Sequence, residues 1–262
     1  MKKNLVYIKL LITLIFFVMF FSVTVSSIFN KVYAENVNFK SNKENLIYEL
    51  FNDLDIESFY QYGEKVIDEY PYLTENEQNA LMKKHAVRLI SQNRTSEIKN
   101  NSNKSNYNGK FTKAEIKLII RHPIKATKVN TAKKHADNKT NNYYERKVHY
   151  LDNGDAFRHG LWNALMTKYI GRDWAKKFAD AHEYGVSQNS ESEKLDVQMD
   201  YINNEKGRSY GDIHKKKGED QIAVIIRNAI SNGEFVKCIY TINSEGKYIA
   251  TSHVKTDRFG LK

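Results

Sequence analysis

Three stretches of the chain carry side chains of the kinds that do chemistry, at spacings that would bring them together. In Asp152-Asn-Gly-Asp-Ala-Phe-Arg-His-Gly-Leu-Trp-Asn, the residues Asp155, Arg158, His159 and Asn163 recur at intervals of three and four, which puts them on one face of a helix. His182-Glu183 follows, and then Asp200, Asn203 and Asn204 with Arg208. Two histidines and several carboxylates from neighbouring helices can ligate Zn²⁺, Mn²⁺ or Mg²⁺ inside a helical bundle, and the expected ligands are Asp155, His159, His182 and Asp200. Such a metal would lower the pKa of a bound water and polarise a phosphoryl or carbonyl oxygen, with Arg158 and Arg208 holding an anionic group. Glu183 is then the expected general base, and Asn163 and Asn203 complete the expected catalytic set.

The same residues admit two other chemistries. Without a metal, Glu183 could act as a general acid with a raised pKa and Asp200 as the second carboxylate of a cell-wall glycan hydrolase. With no catalysis at all, Asp155 or Asp200 could fix His159 or His182, and Arg158 could pair with Glu183, in a polar core that only specifies helix packing in a surface or envelope-binding module. Against that last reading, buried ion pairs are often replaceable by apolar residues at no loss of stability.

The elements that position these residues are predicted as three helices over about 155–170, 172–184 and 194–206. The first has Asp155, Arg158, His159, Trp162, Asn163 and Met166 on one arc and Phe157, Leu161, Ala164 and Leu165 on the other, so both faces must be buried. His182 lies within the apolar arc Trp174, Ala175, Phe178, Ala179, Ala181, with Glu183 at its edge. Leu195, Met199 and Ile202 form the apolar stripe of the third helix, flanked by Asp196, Asp200 and Asn203, and Gly207 reads as its stop. Asp152-Asn-Gly-Asp155 lacks the spacing of an EF-hand loop and reads as the turn that caps the first helix.

These motifs resemble an uncharacterised bacterial domain family with a DAFRHxxWNxLMT helix, an AHE motif and an MDxxNNxxGR motif, over roughly residues 111–256. The resemblance implies an exported or toxin-associated protein. It implies that Asp155, Arg158, His159, Asn163, His182, Glu183, Asp200, Asn203, Asn204 and Arg208 are the family's positions, and it names no reaction.

Upstream, 35–90 is predicted as two or three amphipathic helices separated near Tyr70-Pro71-Tyr72. Residues 91–110, rich in Asn, Ser and Lys, read as a linker. Thr112-Lys-Ala-Glu115 is a capping box opening a helix that Pro123 interrupts. His122, beside that proline, reads as a surface or packing residue that could extend the site. Downstream, a helix through Ile222, Ile225, Ile226 and Ile230 precedes a hairpin, Phe235–Asn243 and Tyr248–His253, on which the lone Cys238 is expected to be buried. The fold class is mainly α, a helical bundle with a small C-terminal β-hairpin.

Residues 1–34 have the form of an export signal: Lys2, Lys3 and Lys9, an apolar run from Leu10 to Phe21, and Val32-Tyr33-Ala34 before Glu35. An uncleaved membrane anchor is the alternative, since the apolar run extended through Ile28 nears the ~20 residues of a membrane helix. The expected location is outside the cell or at its surface, with no later membrane span. The chain has 262 residues, 41 Lys+Arg against 31 Asp+Glu and one cysteine. Removing 1–34 takes away four lysines and no acid, which lowers the formal charge from +10 to +6. A single thiol excludes a disulfide framework, and 41% hydrophobic content excludes an intrinsically disordered chain. Residues 110–150 hold eleven basic and three acidic residues, whereas 152–212 hold eight and eleven. A basic flank thus adjoins an acidic centre. No nucleic-acid motif, phosphate loop, zinc-finger spacing or GxSxG elbow is present. The expected partner is an anionic envelope component or a phospholipid, and the expected activity is hydrolysis of a phosphodiester or phospholipid.

Overall fold

The computed structural model describes residues 47–100, 111–145 and 149–262, and the side chains of these except 96–100. Residues 1–34, where an export signal is expected, residues 35–46 and the 101–110 part of the expected linker lie outside the described residues. The fold is mainly α with a C-terminal two-stranded antiparallel hairpin. Its elements are α1 (Ile56–Glu69), α2 (Glu75–Asn100), α3 (Lys113–Arg121), α4 (Pro123–Tyr143), α5 (Asn153–Ile170), α6 (Arg172–Glu183), α7 (Glu191–His214), α8 (Glu219–Ser231), β1 (Val236–Ile242) and β2 (Tyr248–Lys255). No described helix is long and apolar enough to cross a membrane.

Helix α5 is the hub. From Asn153 to Thr167 every residue but Arg158 is buried, and α4, α6, α7, α8 and β1 all pack on it. Its N-terminus is held by the Asp152 carboxylate, which accepts the Asp155 N–H at 2.9 Å, the capping role expected of the Asp-Asn-Gly-Asp turn. Leu151 just before it takes a positive φ of 62°, an unfavourable conformation for a non-glycine residue. Burial of its side chain, its N–H bond to Asp155 Oδ2 at 2.9 Å and its C=O bond from Cys238 N at 3.0 Å hold it there.

Helix α7 runs straight through Gly207, where the sequence pattern predicts a stop, to His214. The reason is packing. A Cβ on Gly207 would lie 2.3 Å from Gly160 O, and one on Gly211 would lie 2.5 Å from Ala164 O, so both glycines let the backbones of α5 and α7 approach. That approach sets the distance over which the polar side chains of the two helices meet.

The capping box at Thr112 and Glu115 forms, and Pro123 occupies the first turn of α4. His122 offers α4 no side-chain cap, and Asn79 of α2 instead accepts the Ile124 N–H at 3.0 Å. Residues 48–262 form one compact unit, in which α1 and α2 pack against α4. Helix α2 continues to Asn100, through the first half of the stretch predicted as linker. Its polar residues are used: Asn93 donates to Asp53 O at 2.9 Å, Arg94 binds the Asp53 carboxylate, and Ser91 and Thr95 bond carbonyls one turn back. The hairpin lies on α7, where Leu151, Met199, Cys238 and Ala250 form a small buried cluster with Cys238 among them as expected. Its pairing runs from Val236↔Lys255 to Ile242↔Tyr248, with a bulge between Ile239 and Tyr240.

Candidate functional site

Where α5 crosses α7, four polar side chains with almost no exposure, Arg208, Asn163, Asn204 and His159, form one directed chain of hydrogen bonds. Arg208 can only donate, and its Nη1 donates to Asn163 Oδ1 at 2.9 Å. Asn163 must therefore present its Nδ2, which donates to Asn204 Oδ1 at 2.6 Å. Asn204 Oδ1 also lies 3.1 Å from His159 Nδ1, so that nitrogen carries the proton. The Asn204 Nδ2 donates to Glu183 Oε1 at 3.3 Å. Burial, with the Arg158 guanidinium and His182 nearby, holds the His159 pKa well below the ordinary imidazole value. His159 is thus neutral, protonated on Nδ1, with its lone pair on Nε2, the form of histidine that ligates metals.

Three groups surround that lone pair. Arg158 Nη2 donates to it at 2.9 Å, Asp200 Oδ1 is 3.3 Å away and Asp155 Oδ1 is 3.7 Å away. Asp155 is buried and satisfied, accepting from Leu151 N and, at 2.5 Å, from Arg158 Nη2. Asp200 Oδ1 is buried with no hydrogen-bond partner. Burial first, and then the carboxylates Asp155, Glu183 and Asp196, push its pKa well above the carboxylate range. Asp196, bonded by Tyr150 Oη at 3.0 Å, is pushed up to about 6, chiefly by burial. Ligand atoms of His159, Glu183 and Asp200 lie within 4.8 Å of one another, as do those of Asp155, Asp196 and Asp200.

The structure therefore brings together Asp155, Arg158, His159, Asn163, Glu183, Asp200 and Arg208. His182 is beside this group rather than in it. Its Nδ1 pairs with Glu115 Oε1 of α3 at 2.9 Å, and its ring meets Trp162 edge-on at 5.3 Å. The capping box doubles as its mount: Glu115 Oε2 accepts the Thr112 N–H at 2.7 Å, and Thr112 Oγ1 donates to Ala181 O at 2.5 Å. Partial burial lowers the His182 pKa, but the Glu115 bond and charge outweigh it and raise the pKa above the ordinary value. Asn203 faces the hairpin, where its amide donates to Val236 O at 2.9 Å and accepts Val236 N–H at 3.1 Å. Arg158 pairs with Asp155, not with Glu183 as the packing alternative supposes. Arg208 is committed to Asn163 and Glu205. His122 packs against Trp174 at 4.4 Å, apart from the cluster.

The sequence pattern does not reveal Glu115 as the partner of His182, because 67 positions separate them and the capping box already accounts for the glutamate. Asn204 stands among the positions implied by the resemblance, but nothing in its spacing marks it as the residue that fixes the His159 tautomer. No curated protein and no solved structure matches the chain. Residues 116–234, which span α5, α6 and α7 and every residue of this cluster except Glu115, match the family model described as Domain of unknown function (DUF6973).

Proposed function

We propose that this chain is an exported hydrolase that uses a divalent cation held by His159, Glu183 and Asp200 to act on a phosphodiester or phospholipid. One observation carries the reading. The unpartnered Asp200 Oδ1 lies 3.3 Å from His159 Nε2, whose lone pair the Arg158 guanidinium holds at 2.9 Å, so a nitrogen and an oxygen donor meet at a point that already draws a positive charge. Glu183 supplies a third ligand oxygen within 4.8 Å, so nitrogen and oxygen donors suit Zn²⁺ or Mn²⁺. When bound, such a cation lowers the pKa of a water and polarises the phosphoryl oxygen. Arg158, its side chain 28% exposed at the edge of the cluster, is suited to an anionic group. His182, with Nδ1 held by Glu115 and its side chain 34% exposed, is suited to carry the proton to the leaving oxygen.

The test is turnover of bis(4-nitrophenyl) phosphate and of phosphatidylglycerol vesicles by the mature chain, with Mn²⁺ or Zn²⁺ and with EDTA. Cation-dependent hydrolysis of either is expected. Inertness toward both, with cation bound, refutes the reaction class. A metal-free glycan hydrolase is the second reading, favoured by the close approach of the Glu183 and Asp200 carboxylates. Their separation of no more than 4.8 Å between ligand atoms is nearer the ~5–5.5 Å of retaining glycosidases than the ~6.5–9.5 Å of inverting ones. It predicts hydrolysis of peptidoglycan in EDTA. Export rests on the basic, apolar and small-residue order of residues 1–34. Sequencing the N-terminus of protein recovered outside the cytoplasm should give Glu35, and a retained Met1 would favour the membrane anchor.

A further inference from the structure

We propose that Arg158 is a built-in competitor of the cation: its guanidinium occupies the ligating lone pair of His159, and a divalent ion entering the site displaces it toward the open edge, where it becomes the anion-binding group. The inference rests on the metal reading above and adds its regulation. Imidazole nitrogen Nε2 has one lone pair, and Arg158 Nη2 now takes it at 2.9 Å. The same lone pair cannot hold a metal while it accepts that hydrogen bond. The opposite nitrogen is no alternative, because the Arg208–Asn163–Asn204 chain commits Nδ1 to donating. Nor can the guanidinium step aside by losing its charge, since arginine stays protonated in proteins.

The surroundings make the exchange feasible. Arg158 acts electrostatically on Asp155, Glu183, Asp196 and Asp200 together, so it is the counter-charge of the carboxylate cluster. A divalent ion replaces that one charge with two at the same place. Arg158 is also the exposed member: its side chain is 28% exposed, against 3% for those of both Asp155 and His159. Its long stem lets the head move outward while Asp155 keeps the Leu151 N–H bond. A displaced guanidinium beside a bound cation presents two adjacent positive groups, which suits a phosphate diester more than a neutral glycan.

Calorimetric titration of Mn²⁺ into the mature chain and into Arg158→Met tests this, with inorganic phosphate titrated into each Mn²⁺-loaded protein. Removing the competitor is expected to tighten Mn²⁺ binding about tenfold and to weaken phosphate binding about tenfold. Because Arg158→Met strands the Asp155 charge, the pair Asp155→Asn with Arg158→Met is measured alongside; it keeps the local balance and is expected to retain the tighter Mn²⁺ binding relative to Asp155→Asn alone. If Mn²⁺ binds the parent but binds Arg158→Met equally or more weakly, the competition is overturned while the metal reading stands. If Mn²⁺ binds none of these proteins, both are overturned.

Discussion

Replacing Asp200 by Asn separates the stability of the metal-free protein from its response to metal, and the two should move in opposite directions. Asp200 Oδ1 is buried, unpartnered and 3.3 Å from the His159 lone pair. Leaving a buried polar group unsatisfied costs about 1–3 kcal/mol, and more when it is charged. An asparagine of the same shape removes the carboxyl whose charge is disfavoured by burial and by the Asp155, Glu183 and Asp196 carboxylates, while the His159 lone pair stays with Arg158. In a domain of roughly 200 residues, 1 kcal/mol shifts Tm by about 2–4 °C, so Asp200→Asn should melt about 2–12 °C higher in EDTA. The lower part of that range is expected, because the Asp200 side chain retains 13% exposure. Manganese at a hundred times its Kd adds about 2.7 kcal/mol to the parent, or about 5–11 °C, and should add almost nothing to the variant. Differential scanning calorimetry of both proteins, with and without metal, reads all four values. A variant that melts lower than the parent in EDTA would refute the reasoning, since it would mean that Asp200 is a structural partner there.

Arg208 touches none of the proposed ligands, yet Arg208→Gln should weaken Mn²⁺ binding by about 10–100-fold, because a glutamine can donate or accept and no longer dictates the His159 tautomer; unchanged calorimetric affinity would break the chain of inference. Gly207→Ala should destabilise by about 1–3 kcal/mol in urea unfolding despite the better helix propensity of alanine, since its Cβ meets the Gly160 carbonyl at 2.3 Å, and a stabilised variant would contradict the close crossing. Asn203→Ala should destabilise the fold, by stranding the Val236 backbone groups, and leave Mn²⁺ affinity unchanged. For Asp196, whose folded pKa is raised to about 6 from 3.8, the folded state binds the proton more tightly than the unfolded one, so its contribution is present at low pH and is lost as pH rises through that window. Asp196→Asn in EDTA should therefore gain stability relative to the parent between pH 4 and pH 7, and a pH-independent difference in melting temperature would refute that account.

Periodicity made the motif helices legible because α5, α6 and α7 each carry an apolar arc interrupted by polar residues; those interruptions pointed to Asp155, His159, His182 and Asp200 as sharing one interior, and of these His182 lies beside the group while Glu183 lies within it. Composition misled at residues 91–100, where serine and threonine bond back to the helix and Asn93 reaches Asp53. Gly207 misled for a different reason: a glycine that ends a helix and one that admits a neighbouring backbone look alike until the neighbour is in place. The division of labour within the site was also hidden. His182 and Asn203 lie at suitable phases, but their partners, Glu115 and Val236, come from distant parts of the chain. Which His159 nitrogen keeps its lone pair beside the carboxylates depends on a hydrogen-bond chain that begins at Arg208, and such direction has no sequence period.

The central claim, that His159, Glu183 and Asp200 hold a divalent cation, is tested most directly by anomalous scattering from crystals of residues 35–262 grown with Mn²⁺ or Zn²⁺. The account predicts a peak about 2.0–2.2 Å from His159 Nε2 and from one oxygen each of Glu183 and Asp200, with the Arg158 guanidinium moved off that nitrogen. A peak on His182 instead, or no peak in this cluster at saturating metal, would contradict it.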